Sequence, residues 1–359
     1  MKRWQFWVGV LIGAACVGWA VSQVEDWGEF RQALQHQANW VYVIPIIAGY
    51  FAVMFLRAVR WRFILSQCGR ASLSSTWTST LVCYMGNNIF PLRAGEFMRV
   101  FMIGKLEPSI TFSSGLATVV VERLFDFLSV LVMLGMVLAL IEFPEGGLMF
   151  TAGGEQYNME NLINNLGRGT LFGAVVLFIF LFLLYIKTDI ALKVAGFFMK
   201  PLPDAFSAKL LDMLRTFSSG LTIMGRPKAL FTVAGLSAVT WSINLIPVWL
   251  TGLALGFSLS IVDVLFLMMA GAAAASIPGP PGFLGTFHAI NQKAFTFLTE
   301  ASGGVALLFA IILHACYYVP ITIAGVIAAK RAGFSVNRLR EESEEIEENT
   351  EPESDCKSD

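Results

Sequence analysis

The sequence is dominated by long runs of apolar residues that are separated by short polar segments. Three of these runs, Leu124–Ile141, Leu171–Ile186 and Leu307–Ala329, contain very few polar residues. A helix needs roughly 20 apolar residues, at about 1.5 Å of rise each, to cross about 30 Å of hydrocarbon. The runs are continuous and do not alternate, which favours helices over the strands of a membrane barrel. The pattern predicts an all-α polytopic membrane protein.

The apolar runs predict about six full spans. They cover residues 6–22, 41–65, 112–141, 169–187, 229–257 and 303–329. Two further stretches, 74–106 and 261–298, are each broken near the middle by proline, glycine and polar residues. Broken backbone is tolerated at membrane depth only where protein or a water-filled cavity satisfies it, so we interpret both as re-entrant helical hairpins. Two short spans joined by an ordinary loop are the alternative for each stretch.

Two segments of the chain share one plan, which predicts an internal repeat. Residues 41–141 and residues 229–329 each run as span, broken hairpin and span. With three full spans in each half, the second half enters the membrane in the opposite orientation. Inverted repeats with discontinuous helices at matching positions are typical of transporters, whose binding sites lie at those breaks.

Composition and charge exclude a soluble enzyme and indicate an orientation. The chain is 56% hydrophobic and 14% charged, with a mean hydropathy of +0.66, whereas soluble domains carry about 25% charged residues. Of the 25 basic residues, the predicted outside segments hold only Arg31, Arg168 and Lys293. Cytoplasmic segments are richer in Lys and Arg, so we expect an inner-membrane protein with both termini in the cytoplasm.

The two ends of the chain and one central segment are treated separately. The apolar N-terminal stretch is compatible with a cleaved signal peptide, but it lacks a clear cleavage site, so we expect a retained first span. Residues 188–228 carry apolar side chains at helical spacing and predict a cytoplasmic amphipathic helix within a membrane domain of residues 1–334. Residues 335–359 are acidic and lack an apolar pattern, which predicts a disordered tail.

No motif for catalysis, metal binding or cofactor binding is visible in the sequence. The five cysteines are scattered without a CxxC pair, which argues against a disulfide framework or a zinc site. The chain has no P-loop, no G-x-S-x-G elbow and no HExxH helix. We therefore expect no enzyme activity, no ATP hydrolysis, no cofactor and no nucleic-acid partner.

The first break is the richest candidate site. Its polar and helix-breaking residues are Asn87, Asn88, Pro91, Arg93, Gly95, Glu96 and Arg99. A half-helix that begins here would present free N–H groups to a phosphate, and Arg93 could add a two-pronged contact to the same oxygens. Glu96 and Arg99 are three residues apart, so they either pair on the helix face or take part in binding.

Charged residues inside the second and third spans form a second candidate group. Glu122 and Asp126 are four residues apart and share a helix face beside Arg123. Because lone charges are disfavoured in hydrocarbon, they face a cavity or a partner. They form a structural network with Arg57, Arg60 or Arg93, a ligand or proton site, or both. The arginines themselves could also be topology anchors.

The second break supplies the remaining candidates. Pro281, Gly282 and Gly285 interrupt the helix, and His288 follows one turn later. His288 could titrate near neutral pH or could simply be a hydrogen-bonded helix residue, which we favour. His314, Tyr317 and Tyr318 in the last span are interpreted as packing and interface residues.

Taken together, these motifs resemble the lysylphosphatidylglycerol synthase transmembrane-region family of flippase-like proteins over roughly residues 5–332. The resemblance rests on Arg57-x-x-Arg60-Trp61-Arg62, Asn87…Pro91-x-Arg93-x-Gly95-Glu96-x-x-Arg99, Glu122-Arg123-x-x-Asp126 and Pro281-Gly282-x-x-Gly285. It implies spans plus re-entrant helices that move a lipid headgroup across the bilayer. Family synthases add a soluble aminoacyl-transferase domain, whereas this sequence ends in the acidic tail, so synthase activity is not carried over. Relatives often have an acidic residue where this chain has His288.

The expected function is ATP-independent movement of a lipid with an anionic or phosphate-bearing headgroup, or of a lipid-linked intermediate. The alternative is a non-transporting membrane subunit that scaffolds or regulates an envelope enzyme making lipids or glycans. An intramembrane transferase is the third reading, and it is disfavoured because no nucleophile or metal set is visible.

Overall fold

The computed structural model describes residues 3–90, 94–140, 149–152, 155–158, 172, 176, 179, 187–199, 211, 227–276 and 281–334. Most of these residues lie in helices. In chain order the helices are α1 (Arg3–Ser22), α2 (Trp27–Gln32), α3 (Val43–Leu65), α4 (Leu73–Ile89), α5 (Gly95–Leu106), α6 (Phe112–Leu140), α7 (Thr188–Met199), α8 (Pro227–Ala254), α9 (Ile261–Ser276), α10 (Thr286–Thr299) and α11 (Gly303–Arg331). Short strands β1 (Met149–Ala152) and β2 (Glu155–Asn158) pair antiparallel.

Three helices in the described part of the chain are long and apolar enough to cross a membrane. They are Trp40–Leu65, Lys228–Ala254 and Gly303–Arg331, which match the second, fifth and sixth predicted spans. α1 and α6 occupy the first and third predicted spans. The chain is therefore a helical membrane protein. Most of the predicted span 169–187, most of the amphipathic segment 188–228 and the tail 335–359 lie outside the described residues.

Each predicted broken hairpin is a pair of short helices. α4 and α5 contain 17 and 12 residues, and α9 and α10 contain 16 and 14 residues. At about 1.5 Å per residue they are about 26, 18, 24 and 21 Å long, less than the roughly 30 Å hydrocarbon core.

Side-chain caps explain where several of these helices begin. Ser72 accepts a hydrogen bond from the backbone N–H of Ser75 at the start of α4. Ser260 and Asp263 cap each other's backbone N–H groups at the start of α9, with distances of 3.2 and 2.8 Å. Such caps satisfy N–H groups that a helix leaves free in its first turn.

The ends of the first hairpin lie side by side. The backbone N–H of Ser72 donates to the Glu107 carboxylate at 3.0 Å, and the Ser109 hydroxyl donates to the Arg70 carbonyl at 3.3 Å. The first of these bonds lowers the pKa of Glu107, because it stabilises the ionised carboxylate. The chain thus leaves the α4–α5 hairpin close to where it entered.

Helices from the first part of the chain pack against helices from the second part. α3 lies along α8, α4 lies along α11, and α6 contacts α9. Close approach depends on small residues: a Cβ on Gly325 of α11 would lie 2.6 Å from the Leu81 carbonyl oxygen of α4. The cavity described below lies between these helices.

The expected all-α architecture is confirmed for the described residues, and the short strands β1 and β2 are a local addition that was not predicted. They pair Met149 with Asn158 and Ala152 with Glu155. They fall between the predicted third and fourth spans, in a segment where the apolar pattern predicts no element.

Candidate functional site

Seven charged side chains from three helices meet in one buried group, which we call the ion cluster. Its members are Arg57 and Arg60 from α3, Glu96 and Arg99 from α5, and Glu122, Arg123 and Asp126 from α6. The spacing of three or four residues within each helix places the side chains on one face. The packing of α3, α5 and α6 brings these three charged faces together.

Glu122 is the centre of the ion cluster. Its side chain is fully buried, and its carboxylate accepts hydrogen bonds from Arg60 at 2.8 Å and from Arg99 at 2.5 Å. Asp126 accepts from Arg60 at 2.7 Å and lies 3.4 Å from Arg57 and 3.2 Å from Arg123. The structural network, one of the alternatives drawn from the sequence, is therefore present, and it joins α3, α5 and α6.

The ion cluster carries more positive than negative charge. Among the described residues it contains four arginines and three carboxylates, which leaves a net charge of +1. The buried Nε atoms of Arg57 and Arg123 have no hydrogen-bond partner there. An excess cation in a low-dielectric site favours an anion beside it.

A cavity of about 660 Å³ lies against the ion cluster and reaches the helices of the second half. Arg57, Glu96, Arg123 and Asp126 line its charged side, and about one third of the Arg123 side chain is accessible. The rest of its lining is mostly apolar, with Val248, Leu267, Met268, Met269 and Phe287 among its residues. The cavity therefore offers one charged side and one apolar side to a ligand.

Arg57 is held in the cavity wall by two aromatic rings. The centre of its guanidinium lies 5.5 Å from the Tyr84 ring and 5.7 Å from the Trp241 ring. The Trp241 indole N–H also donates to Asp126 at 3.3 Å. Cation–π contacts of this kind orient a guanidinium without using its N–H groups.

The two breaks of the chain lie against each other beside the cavity. Gly282 has a φ of +64°, and a Cβ there would lie 2.3 Å from the Tyr318 ring and 3.1 Å from the Asn88 carbonyl oxygen. The Tyr318 hydroxyl donates to that same carbonyl at 3.2 Å. Only glycine fits this crossing, since it tolerates both the conformation and the contact.

The remaining predicted site residues that the structure describes lie in the cavity wall, in buried contacts between helices, or in the turn before α10. Asn87 lines the cavity and accepts a hydrogen bond from the Gly95 N–H at 3.1 Å, whereas Asn88 is buried and donates to Thr322 at 2.8 Å. Pro281 begins a short 3₁₀ turn, and Gly285 precedes α10. Arg93 and Pro91 lie outside the described residues.

His288 sits in a hydrogen-bonded chain at the start of α10. Its Nδ1 accepts from the Gly285 N–H at 3.3 Å, and its Nε2 lies 3.4 Å from Nδ1 of His314. This is the hydrogen-bonded arrangement that we favoured for it. His314, which we had assigned to packing, lines the cavity and stacks on Phe287.

A family model for the lysylphosphatidylglycerol synthase TM region matches residues 6–325. The chain belongs to this family. The resemblance stated from the sequence motifs is therefore confirmed, and the match includes every residue of the ion cluster and both breaks.

Curated relatives of this family member are distant and carry two kinds of name. Glycosyltransferase AglD of Haloferax volcanii is 24% identical over 84% of this chain and 51% of its own length. A UPF0104 membrane protein of Pyrococcus horikoshii is 23% identical over 85% of this chain and 91% of its own length. Another, of Methanothermobacter thermautotrophicus, is 23% identical over 86% and 90%. The chain thus spans about half of the first relative, and no solved structure matches it.

Several cavity residues of this family member were missed by sequence reasoning. Tyr84, Trp241 and Asn244 line the cavity but lie in apolar runs, outside the breaks. The available signal was spacing, since Tyr84 and Asn87, and likewise Trp241 and Asn244, are three residues apart on one helix face. Within the described residues, no group of three or more His, Cys, Asp or Glu side chains is arranged to hold a metal ion.

Proposed function

We propose that the protein moves a lipid with a phosphate-bearing headgroup across the membrane without ATP. The observation that carries this proposal is the net positive ion cluster on one side of a cavity between membrane helices. A soluble anion would not need the apolar side of that cavity, and a purely apolar ligand would not need the charged side. An anionic lipid uses both.

The headgroup would bind beside Arg57 and Arg123. An unpaired cation near the bilayer centre is disfavoured by about 2.5–3.5 kcal/mol on insertion scales, and a phosphate offsets that penalty. Guanidinium groups bind phosphate oxygens through charge-assisted hydrogen bonds. Arg93, which follows the first half-helix in sequence, remains a proposed third contact to the same headgroup.

Movement would follow from an inverted repeat with a re-entrant hairpin in each half. In such a repeat α3 corresponds to α8, α4 to α9 and α6 to α11. The contact of α4 with α11 then has its counterpart in the contact of α9 with α6, and the contact of α3 with α8 is its own counterpart. These contacts support the repeat. The short helices of both hairpins support the re-entrant reading. In such folds one repeat rocks against the other around a fixed site near the midplane.

We expect the two hairpins to enter from opposite faces of the membrane. In a variant without native cysteines, Ser109→Cys marks the end of the first hairpin and Ser258→Cys marks the start of the second, and both positions are exposed. An impermeant thiol reagent added to sealed, oriented vesicles should label one from outside and the other only after permeabilisation. Labelling of both from the same face would contradict the inverted repeat.

Arg57→Gln should reduce lipid movement at least about ten-fold while the protein still folds. Asp126 keeps Arg60 and Arg123 as partners, and a charge-assisted hydrogen bond is worth about 1.5–3 kcal/mol, or roughly ten-fold and more in rate. The measurement is dithionite bleaching of fluorescent phosphatidic acid in liposomes that contain the purified protein. Arg57→Lys should retain part of the activity, because it keeps the charge and loses the planar fork.

Arg62→Gln is the matched control for this experiment. Arg62 lies on the same helix, but its side chain is exposed and donates to the Ala71 carbonyl at 3.0 Å. It should move lipid at the wild-type rate. Wild-type movement in Arg57→Gln would rule out the headgroup site, and failure of folded wild-type protein to move any anionic lipid would leave the scaffolding role as the better explanation.

A further inference from the structure

Three asparagine side chains line the cavity with much of their hydrogen-bonding capacity unused. The side-chain NH₂ group of Asn244 has Met268 Sδ as its recorded acceptor at 3.6 Å, and that of Asn87 has Cys83 Sγ at 3.9 Å. Sulfur is a weak acceptor. The Oδ1 atom of Asn291, a fully buried residue, has no partner in the described part of the chain.

The three amides come from different helices and surround one volume. Asn87 lies on α4, Asn244 on α8 and Asn291 on α10, and all three line the same cavity. The amide of Asn291 is fully buried and those of Asn87 and Asn244 are half-buried, and such amides are disfavoured without good partners unless a ligand or water supplies them. Their convergence on one cavity indicates a ligand that both donates and accepts several hydrogen bonds.

Aromatic rings stand beside these amides. Tyr84 lies one turn from Asn87, Trp241 lies one turn from Asn244, and Tyr317 also lines the cavity. Aromatic faces carry partial negative charge and attract the weakly positive C–H groups that a sugar ring presents on its faces. Hydroxyl groups at the rim of the same ring can donate to an amide oxygen and accept from an amide NH₂.

A bare phosphate leaves the amides without a role. It needs the cations of the ion cluster, two of whose neighbouring rings, Tyr84 and Trp241, already orient Arg57, but it does not need Asn244 or Asn291. The cavity volume of about 660 Å³ also falls within the range of about 300–1,000 Å³ that is typical for drug-sized ligands. This volume suits a phosphate that carries a further polar ring.

A cationic headgroup fits the same cavity less well. Among the described residues, the ion cluster carries one excess positive charge, which the phosphate of the lipid balances, so an added ammonium group would again leave one cation unbalanced in the same low-dielectric site. A neutral, hydroxyl-rich group avoids this imbalance and still uses the amides.

We infer that the headgroup is a sugar or related polyol joined to the lipid through a phosphate. Asn244 and Asn291 form hydrogen bonds with its hydroxyl groups, and its ring stacks on Trp241. This inference rests on the proposed function and narrows its substrate class. The phosphate lies by Arg57 and Arg123, and the polyol ring lies between the amides of α8 and α10.

The test compares matched fluorescent lipids in liposomes with the purified protein. One pair is phosphatidylinositol and phosphatidic acid, and the other is a hexosyl-phospho-prenol and the same prenyl phosphate without the hexose. We expect wild-type protein to move the polyol-bearing member of at least one pair about ten-fold faster. The pair that shows this preference distinguishes a diacylglycerol carrier from a prenol carrier.

Asn244→Leu and Asn291→Leu test the residues, since leucine keeps the side-chain size and removes the amide. Each should lower the preference ratio several-fold, and size-exclusion chromatography checks that each variant remains folded. Asn39→Ala is the control, because Asn39 is exposed four residues before α3 and its side chain accepts a hydrogen bond from the Val41 N–H. Its preference ratio should equal that of the wild type.

The possible outcomes separate the two proposals. Equal rates for both members of each pair in wild-type protein would overturn the sugar inference and leave the flippase proposal standing. A wild-type preference that persists in both folded leucine variants would also overturn it. Movement of none of the four lipids by folded wild-type protein would contradict the proposed function itself.

Discussion

Glu122→Gln should destabilise the folded protein more than any other neutralisation in the ion cluster. Glu122 is fully buried and pairs with both Arg60 and Arg99. Removing its charge takes away one of the two carboxylates that pair with Arg60 and one of the two that pair with Arg99, and removal of one partner from a buried ion pair is typically destabilising by about 3–5 kcal/mol. Thermal unfolding in detergent, followed by intrinsic tryptophan fluorescence, would measure the effect as a large fall in the apparent melting temperature.

Glu25→Gln provides the control, because Glu25 is exposed and its loss should change stability by less than about 0.5 kcal/mol. A double-mutant cycle with Arg99→Gln sharpens the test. Because Arg99 then no longer needs a counter-ion, the double variant should be more stable than the sum of the two single effects predicts. Additive effects would show that Glu122 and Arg99 do not interact.

Gly95→Ala should prevent the first hairpin from forming its native packing. A Cβ at Gly95 would lie 1.8 Å from the Cys83 carbonyl oxygen and 2.7 Å from Oδ1 of Asn87. The nearest obstacle is backbone within a helix, so no side-chain rotation can relieve the overlap and α5 must move away from α4. The expected result is a large loss of folded protein on size-exclusion chromatography after detergent extraction.

Gly235→Ala is the matched control in α8. A Cβ there would have no atom within 4 Å, and alanine favours a helix by about 1 kcal/mol over glycine. Its yield and melting temperature should be unchanged or slightly higher. Native yield and stability in Gly95→Ala would mean that α4 and α5 do not pack in the described geometry.

The positions of the helices could be predicted from the sequence because apolar length decides them. The predicted span 112–141 corresponds to α6 (Phe112–Leu140), and the predicted span 303–329 corresponds to α11 (Gly303–Arg331). α4 also ends within the first predicted break, and α5 begins within it, as expected. The strands β1 and β2 were missed because neither apolar length nor periodicity marks them.

The ion cluster could be predicted only as a set of candidates. Spacing placed Glu122 and Asp126 on one helix face, but pairing them with Arg60 and Arg99 requires knowing which helices are neighbours. The same limit applies to the roles of Trp241 and Asn291 in the cavity. Each lies in a helix where it resembles an ordinary polar or aromatic interruption, and its role depends on a cavity formed by distant parts of the chain.

The ion cluster also constrains the order of events while the protein is being made. Arg60 precedes its partners Glu122 and Asp126 by 62 and 66 residues. At a synthesis rate of about 5–20 residues per second, α3 waits roughly 3–13 seconds for α6 to emerge. During that interval Arg57 and Arg60 have no counter-ion on α6, and their long side chains keep the guanidinium groups near the lipid headgroups. The nascent α3 therefore reaches its final depth only when α6 enters the bilayer beside it.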